Sequence, residues 1–258
     1  MERKGRNLVT ERTSVGGVPF EVTTLENATQ QVLRAAIERS PIPVRLSNAY
    51  CVALASKDQD YLQLLNADGL NYPDGTPIVW FMRRESQSLS KPGRVRGPSL
   101  FQSVLDLGRT PGVKHFFLGT TARTLDLLTD NMQRKYPGLL VAGSYAPEYG
   151  PLSDEFFDEC CEKIAASNAD LVWVALGTPK QDIAAARISA RTGRVAVGIG
   201  AAFDFSAGTT KEAPLAFQKL GLEWLFRLAS EPRRLWRRYL VGNVVFLRTA
   251  TKSKSASQ

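Results

Sequence analysis

Four stretches carry side chains whose type and spacing could do chemistry. In "YPDGTPIVWF", Asp74 sits in a Pro-Asp-Gly turn after an apolar run and before a helix that Thr76 can cap, with Pro77 in its first turn. A carboxylate at such a strand end faces the cleft where open α/β sheets bind ligands, and there it can act as a general base. A plain turn aspartate has the same spacing. In "VWVALGTPKQD", Gly177 lets backbone approach a ligand, and Lys180 and Gln181 stand where the next helix begins, its free N–H groups favouring an anion. An ordinary strand-to-helix turn is the plainer reading. "VGIGAAFDFSAG" starts like a dinucleotide fingerprint but has Phe203 where the third glycine belongs.

The fourth stretch is "GLEWLFRLASEPRRLWRRYL", where Arg227, Arg233, Arg234, Arg237 and Arg238 occur with no lysine between 223 and 240. Guanidinium forks match phosphate oxygens in a way that a merely solubilising charge does not need. A solvated basic face is the alternative. Pro232 divides the segment into two helices, and Leu235, Trp236, Tyr239 and Leu240 are expected to share one apolar face of the second.

The elements that must position these residues follow an α/β rhythm. Short β-branched runs at 43–48, 69–73, 115–119, 139–145, 171–177 and 194–200 alternate with amphipathic segments of helix length, including a single helix over 49–67. The pattern predicts a Rossmann-like, largely parallel sheet with helices on both faces, over 19–210. Residues 1–18 read as a flexible N-terminus, 85–97 as a mobile polar connector, 211–248 as a helical basic appendage and 249–258 as a disordered tail.

With 43% hydrophobic residues in 258, the chain can bury a full core, and a net charge of +8 favours polyanionic partners without choosing among phosphate, anionic lipid and nucleic acid. No window reaches the ~18–20 apolar residues of a spanning helix, and the start lacks the apolar core of a secretion signal. A cytoplasmic protein is expected. Cys51, Cys160 and Cys161 lack metal spacing and read as reduced structural thiols. His115, the single histidine, lies in "VKHFFLG" and reads as a strand residue, so neither a Ser-His-Asp triad nor a zinc site can be assembled around it.

Taken together, "YPDG", "RVRG", "YPGLLVAGSY", "LGTPKQD", "GIGAAFDFSAG", "EAP" and "GLEWLFRLASEPRRLWRRY" resemble the WecG/TagA/CpsF glycosyltransferases in order and spacing over residues 20–242. The resemblance implies an inverting, metal-independent enzyme without a cofactor. It would move N-acetylmannosamine, its uronate or a related hexose from a UDP-sugar to a polyprenyl-diphosphate-linked glycan in bacterial surface-polysaccharide synthesis, peripheral on the inner face of the plasma membrane. By motif, Asp74 matches the catalytic base, Arg94 and Gln181 match pocket residues, and Arg227, Arg234 and Arg237 match arginines that hold the donor diphosphate. Asn48, Gly75, Gly97, Gly177, Gly200, Phe203 and Asp204, in the same loops, are expected to line the substrate site. Departures from the family pattern are Ser99 where Asp is usual, Asp182 where Glu is usual, and the added charge of Arg96.

The apolar and basic stretch 239–254 is expected to touch an anionic membrane surface, unless Val244–Leu247 simply pack on the core. Oligomeric state is open, a homo-oligomer included. Two other classes compete: a non-enzymatic nucleic-acid binder, for which no recognised module is visible, and an NAD or nucleotide-sugar oxidoreductase, which needs the missing fingerprint. No nucleic-acid partner is expected.

Overall fold

The computed structural model describes residues 11–85 and 91–252. It opens with a hairpin of β1 (Arg12–Val15) and β2 (Val18–Glu21), where flexible chain was expected. The two-residue turn Gly16-Gly17 has positive φ at both positions, which glycine adopts freely, and it aligns Val15 with Val18. Burial of Val15, Val18 and Phe20 then fixes the hairpin to the core.

The main body alternates as the sequence pattern predicts. In chain order it runs α1 (Leu25–Ile37), β3 (Pro43–Ser47), α2 (Ala49–Ala55), α3 (Gln59–Asn66), β4 (Leu70–Pro73), α4 (Thr76–Glu85), α5 (Gly97–Leu107) and β5 (Lys114–Gly119). It continues with α6 (Ala122–Lys135), β6 (Leu140–Tyr145), α7 (Asp154–Ser167), β7 (Leu171–Ala175), α8 (Lys180–Thr192), β8 (Val195–Gly198) and α9 (Ala202–Ala207). The single helix expected over 49–67 is two, because the Asp58 carboxylate caps a new start by accepting from the Tyr61 N–H at 3.0 Å.

The six main strands form one parallel sheet in the order β4-β3-β8-β7-β5-β6. Val44, Leu46, Trp173, Val195 and Val197 are buried within it, as strands covered on both faces require. On one face Phe101 packs against Phe117, Trp173 and Phe203, and Phe117 against Phe203, at centroid distances of 4.9–5.7 Å. His115 is fully buried, its Nδ1 accepting from Trp173 Nε1 at 3.2 Å, and burial lowers its pKa to about 4. It is a neutral core residue. The three cysteines are free thiols, and burial pushes Cys51 to about 11 and Cys160 to about 12, which leaves both unreactive at neutral pH.

From Leu215 the chain is helical: α10 (Leu215–Leu220), α11 (Glu223–Ser230), α12 (Pro232–Trp236), a π-helical turn (Arg237–Val241) and α13 (Gly242–Lys252). Residues 249–252, expected to be disordered, are the last turn of α13. That helix lies against α2 and α4, with Phe246 buried edge-on against Phe81 at 5.4 Å and Ala250 beneath it. Val244 and Leu247 point away from this contact and are about half exposed. Of the expected connector 85–97, residues 86–90 lie outside the described residues. The segment that follows them is pinned: Gly93 N–H donates to Thr23 O at 2.8 Å, Val95 N–H donates to Pro73 O at 2.9 Å, and Val95 is fully buried.

Candidate active site

The sheet's hydrogen-bond ladder continues past the strand ends and builds the site. Asp74 N–H donates to Ser47 O at 3.0 Å, which sets the turn after β4 beside the end of β3. The Val95 bond to Pro73 carries Arg94 and Arg96 to the other side of the same turn. Asn48 follows β3 and caps α2, its Oδ1 accepting from the Tyr50 N–H at 3.0 Å. Three loops thus converge at the carboxyl ends of β3 and β4, where a parallel sheet binds ligands.

The C-terminal helices close this corner into a cavity of about 160 Å³, lined by Asn48, Tyr50, Asp74, Gly75, Thr76, Arg94 and Arg96 from the sheet side, and by Glu223, Trp224, Arg227, Arg238, Tyr239 and Asn243 from the helical side. Gly221 makes the approach feasible: it sits at φ +72°, and a Cβ there would collide with the Thr76 side chain. Asp74 lies at the junction of the two halves. Burial pushes its carboxyl up to about 6, and the Glu223 carboxylate adds to the rise, while Arg96, Arg94 and Arg238 oppose it. A carboxylate with that pKa is ionised at neutral pH and still basic enough to take a proton, which is what a general base needs.

Glu223 bridges the cationic wall, its carboxylate paired with Arg94 Nη1 at 3.1 Å and with Arg96 Nε, while Arg96 also pairs with Glu212. Neither Arg227 nor Arg238 has a carboxylate within ion-pair distance among the described residues, and the Nε of each is buried without a hydrogen-bond acceptor there. Buried guanidinium N–H groups without acceptors are suited to an anion that arrives as ligand.

Of the residues singled out in the sequence, Asn48, Asp74, Gly75, Arg94 and Arg227 come together around this cavity. The others do not. Gln181 is buried beneath, its Oε1 accepting from the Gly200 N–H at 2.9 Å, so this pair fixes the loop after β8. Gly177 lies in the turn before α8, and Gly97 packs against the Ile199 carbonyl. Phe203 is fully buried in the aromatic cluster and has no surface to offer a ligand. Asp204 is not in the cavity lining; Arg234 and Arg227 act on its carboxylate electrostatically, and Arg234 pairs with Glu231.

Arg237 turns outward and stacks over the Trp236 ring at 5.2 Å, whereas its neighbour Arg238 stacks over Tyr50 at 4.6 Å and lines the cavity. The apolar face expected for this segment is divided accordingly: Leu235 is buried, Tyr239 lines the site, and Trp236 and Leu240 are exposed. Asp182 is buried under the site and accepts from the Tyr61 hydroxyl at 2.6 Å, so its departure from glutamate lies in the support rather than in the cavity.

A parallel α/β domain whose strand-end pocket holds one raised-pKa carboxylate among converging guanidinium groups has the parts that proton transfer beside a bound anion requires. A family model described as the glycosyl transferase WecG/TagA/CpsF family matches residues 13–258, and the chain belongs to that family; it is a glycosyltransferase. A Bacillus spizizenii N-acetylglucosaminyldiphosphoundecaprenol N-acetyl-beta-D-mannosaminyltransferase is 34% identical over 189 residues, covering 72% of this chain and 70% of the relative. A Staphylococcus aureus protein of the same name is 27% identical over 248 residues, covering 95% of this chain and 94% of its own.

Proposed function

We propose that the protein transfers a sugar from a UDP-sugar, without a metal, to a hydroxyl of a polyprenyl-diphosphate-linked glycan, with inversion. The relatives' names supply the acceptor class and N-acetylmannosamine as the first donor sugar to test. The observation that carries the reaction is Asp74, raised to about 6 at the meeting point of the two pocket walls.

In the proposed step the Asp74 carboxylate accepts the proton of the acceptor hydroxyl as its oxygen bonds to the anomeric carbon. The bond from that carbon to the UDP oxygen breaks, and its electron pair leaves with the diphosphate. Arg227 and Arg238, with N–H groups free for the purpose, would hold that charge, and Arg94 and Arg96 would share it once Glu223 yields to the ligand. Arg238 takes here the place that the family resemblance gives to Arg237.

No helix among the described residues is long and apolar enough to cross a membrane. Leu240, Val244 and Leu247 form an exposed stripe at i, i+4 and i+7 beside Arg248, and this stripe is the proposed contact with an anionic bilayer surface.

The test is UDP release from a panel of UDP-sugars, with and without a polyprenyl-diphosphate-linked N-acetylglucosamine acceptor, in EDTA. Acceptor-dependent release from one donor, lost in Asp74→Asn, is expected. Release that requires a divalent cation, or that persists in the variant, overturns the mechanism.

A further inference from the structure

A second cavity, of about 350 Å³, lies between α2 and the C-terminal helices and is used by nothing so far described. Its walls are Ala53 and Leu54 on one side and Trp236, Val241 and Val245 on the other, and its rim carries Lys57, Arg237 and Arg238. It shares Tyr50 and Arg238 with the catalytic cavity, so the stacked pair of that ring and guanidinium, 4.6 Å apart, is the partition between the two.

The charges at this rim differ from those nearby. Arg94, Arg96 and Arg234 are each paired with a carboxylate, whereas Lys57, Arg237 and Arg238 have no such partner among the described residues. The π-helical turn places Arg237 at the outer mouth and Arg238 at the partition, so cationic groups stand at both ends of one apolar wall. Three unpaired cations around an apolar groove fit a ligand with an anionic head and an apolar chain. The shared partition sets the ligand's direction: a chain seated in the groove has the Tyr50–Arg238 pair on one side, with Asp74 beyond it.

We infer that this groove seats the first isoprenoid units of the acceptor lipid, with the lipid diphosphate held at the rim by Lys57 and Arg237 so that the attached sugar reaches across the partition to Asp74. The inference rests on the acceptor class proposed above. A bilayer phospholipid headgroup would share the anionic chemistry, but nothing would require it to lie against the catalytic cavity.

The probe is farnesyl diphosphate, a soluble isoprenoid diphosphate, titrated calorimetrically into the full-length protein, with UDP titrated separately. Val241→Glu, at a half-exposed groove position, and Arg237→Ala are each expected to weaken farnesyl diphosphate binding by about tenfold or more while UDP affinity changes by less than about twofold. Unchanged farnesyl diphosphate binding in both variants overturns the inference. So does an equal loss of UDP affinity, which would make the groove part of the donor site, and so does loss only of cosedimentation with phosphatidylglycerol vesicles, which would make it a bilayer contact. A wild-type protein that ignores farnesyl diphosphate yet releases UDP with acceptor refutes the groove and leaves the reaction standing. Groove-dependent binding without UDP release from any donor refutes the reaction and leaves the groove standing.

Discussion

Replacing Asp74 by Asn is expected to make the protein more stable while abolishing its activity. Burial and Glu223 lift the Asp74 carboxyl from 3.8 to about 6, so its ionised form opposes folding. At ~1.36 kcal/mol per pKa unit the full penalty is roughly 3 kcal/mol, and water entering the pocket screens part of it, leaving about 1–3 kcal/mol. The sign follows from linkage. Above pH 6 the folded state holds an unfavourable charge; as pH falls through 6 toward 4 the folded state takes up a proton before the unfolded chain does, and the penalty disappears. The Asn side chain is never charged, and among the described residues no hydrogen bond to the Asp74 carboxylate is lost in the exchange. Thermal unfolding near pH 7 should therefore show Tm raised by about 3–8 °C in the variant, and near pH 4 the two proteins should melt together. Turnover should fall by about 10²- to 10⁴-fold. A variant less stable than the wild type near pH 7, or a stability gap indifferent to pH, refutes the claim that this carboxylate is desolvated. A variant retaining more than about a tenth of the activity refutes its role as base.

The same titration predicts that kcat/KM falls with an acid limb near pH 6, and that Glu223→Gln moves the limb lower because a neighbouring negative charge is removed; a limb that stays in place excludes Glu223 as its cause. Gly221→Ala combines a left-handed φ with a collision at Thr76, so it should cost about 1–2 kcal/mol locally, reduce activity and speed proteolytic cutting of residues 215–241, whereas unchanged cutting would show that the close approach is not needed. Phe203→Ala should lower stability by about 3–5 kcal/mol in urea denaturation; loss of UDP affinity at full stability would return Phe203 to the substrate site. Val244→Lys combined with Leu247→Lys should keep the fold, because both side chains are half exposed, and should reduce cosedimentation with anionic vesicles if this stripe meets the bilayer. Truncation at residue 242 is the poorer test, since it removes the buried Phe246 and Ala250.

The parallel sheet was legible because its strands are covered on both faces and so appear as short apolar runs between helices that show one apolar stripe. The hairpin at 12–21 was signalled too, by Gly16-Gly17 between two valines, but its strands are only four residues long and basic residues surround it. The division of 49–67 into two helices depended on recognising Asp58 as a cap rather than as one more polar residue on a helix surface.

The pocket was legible only where it is built from turns. Asn48, Asp74, Gly75 and Arg94 lie in loops at the ends of β3 and β4, and the sheet determines where such loops face. Glu223, Trp224 and Tyr239 reach the cavity from helical segments of eight residues or fewer, shorter than the span over which a 3.6-residue period can be read, and the π-helical turn shifts the phase between Arg234 and Asn243 at the start of α13. The family motif selects Arg237 beside Arg227 and Arg234; the widened turn brings Arg238 inward instead, over Tyr50, and leaves Arg237 at the mouth of the groove. The answer to what the clustered arginines do thus differs from one residue to the next. Arg234 is neutralised by Glu231, Arg227 and Arg238 are held at the strand-end cavity with an unpaired Nε each, and Arg237 faces the groove, so neutralising these four one at a time should produce three different phenotypes rather than a graded loss of one affinity.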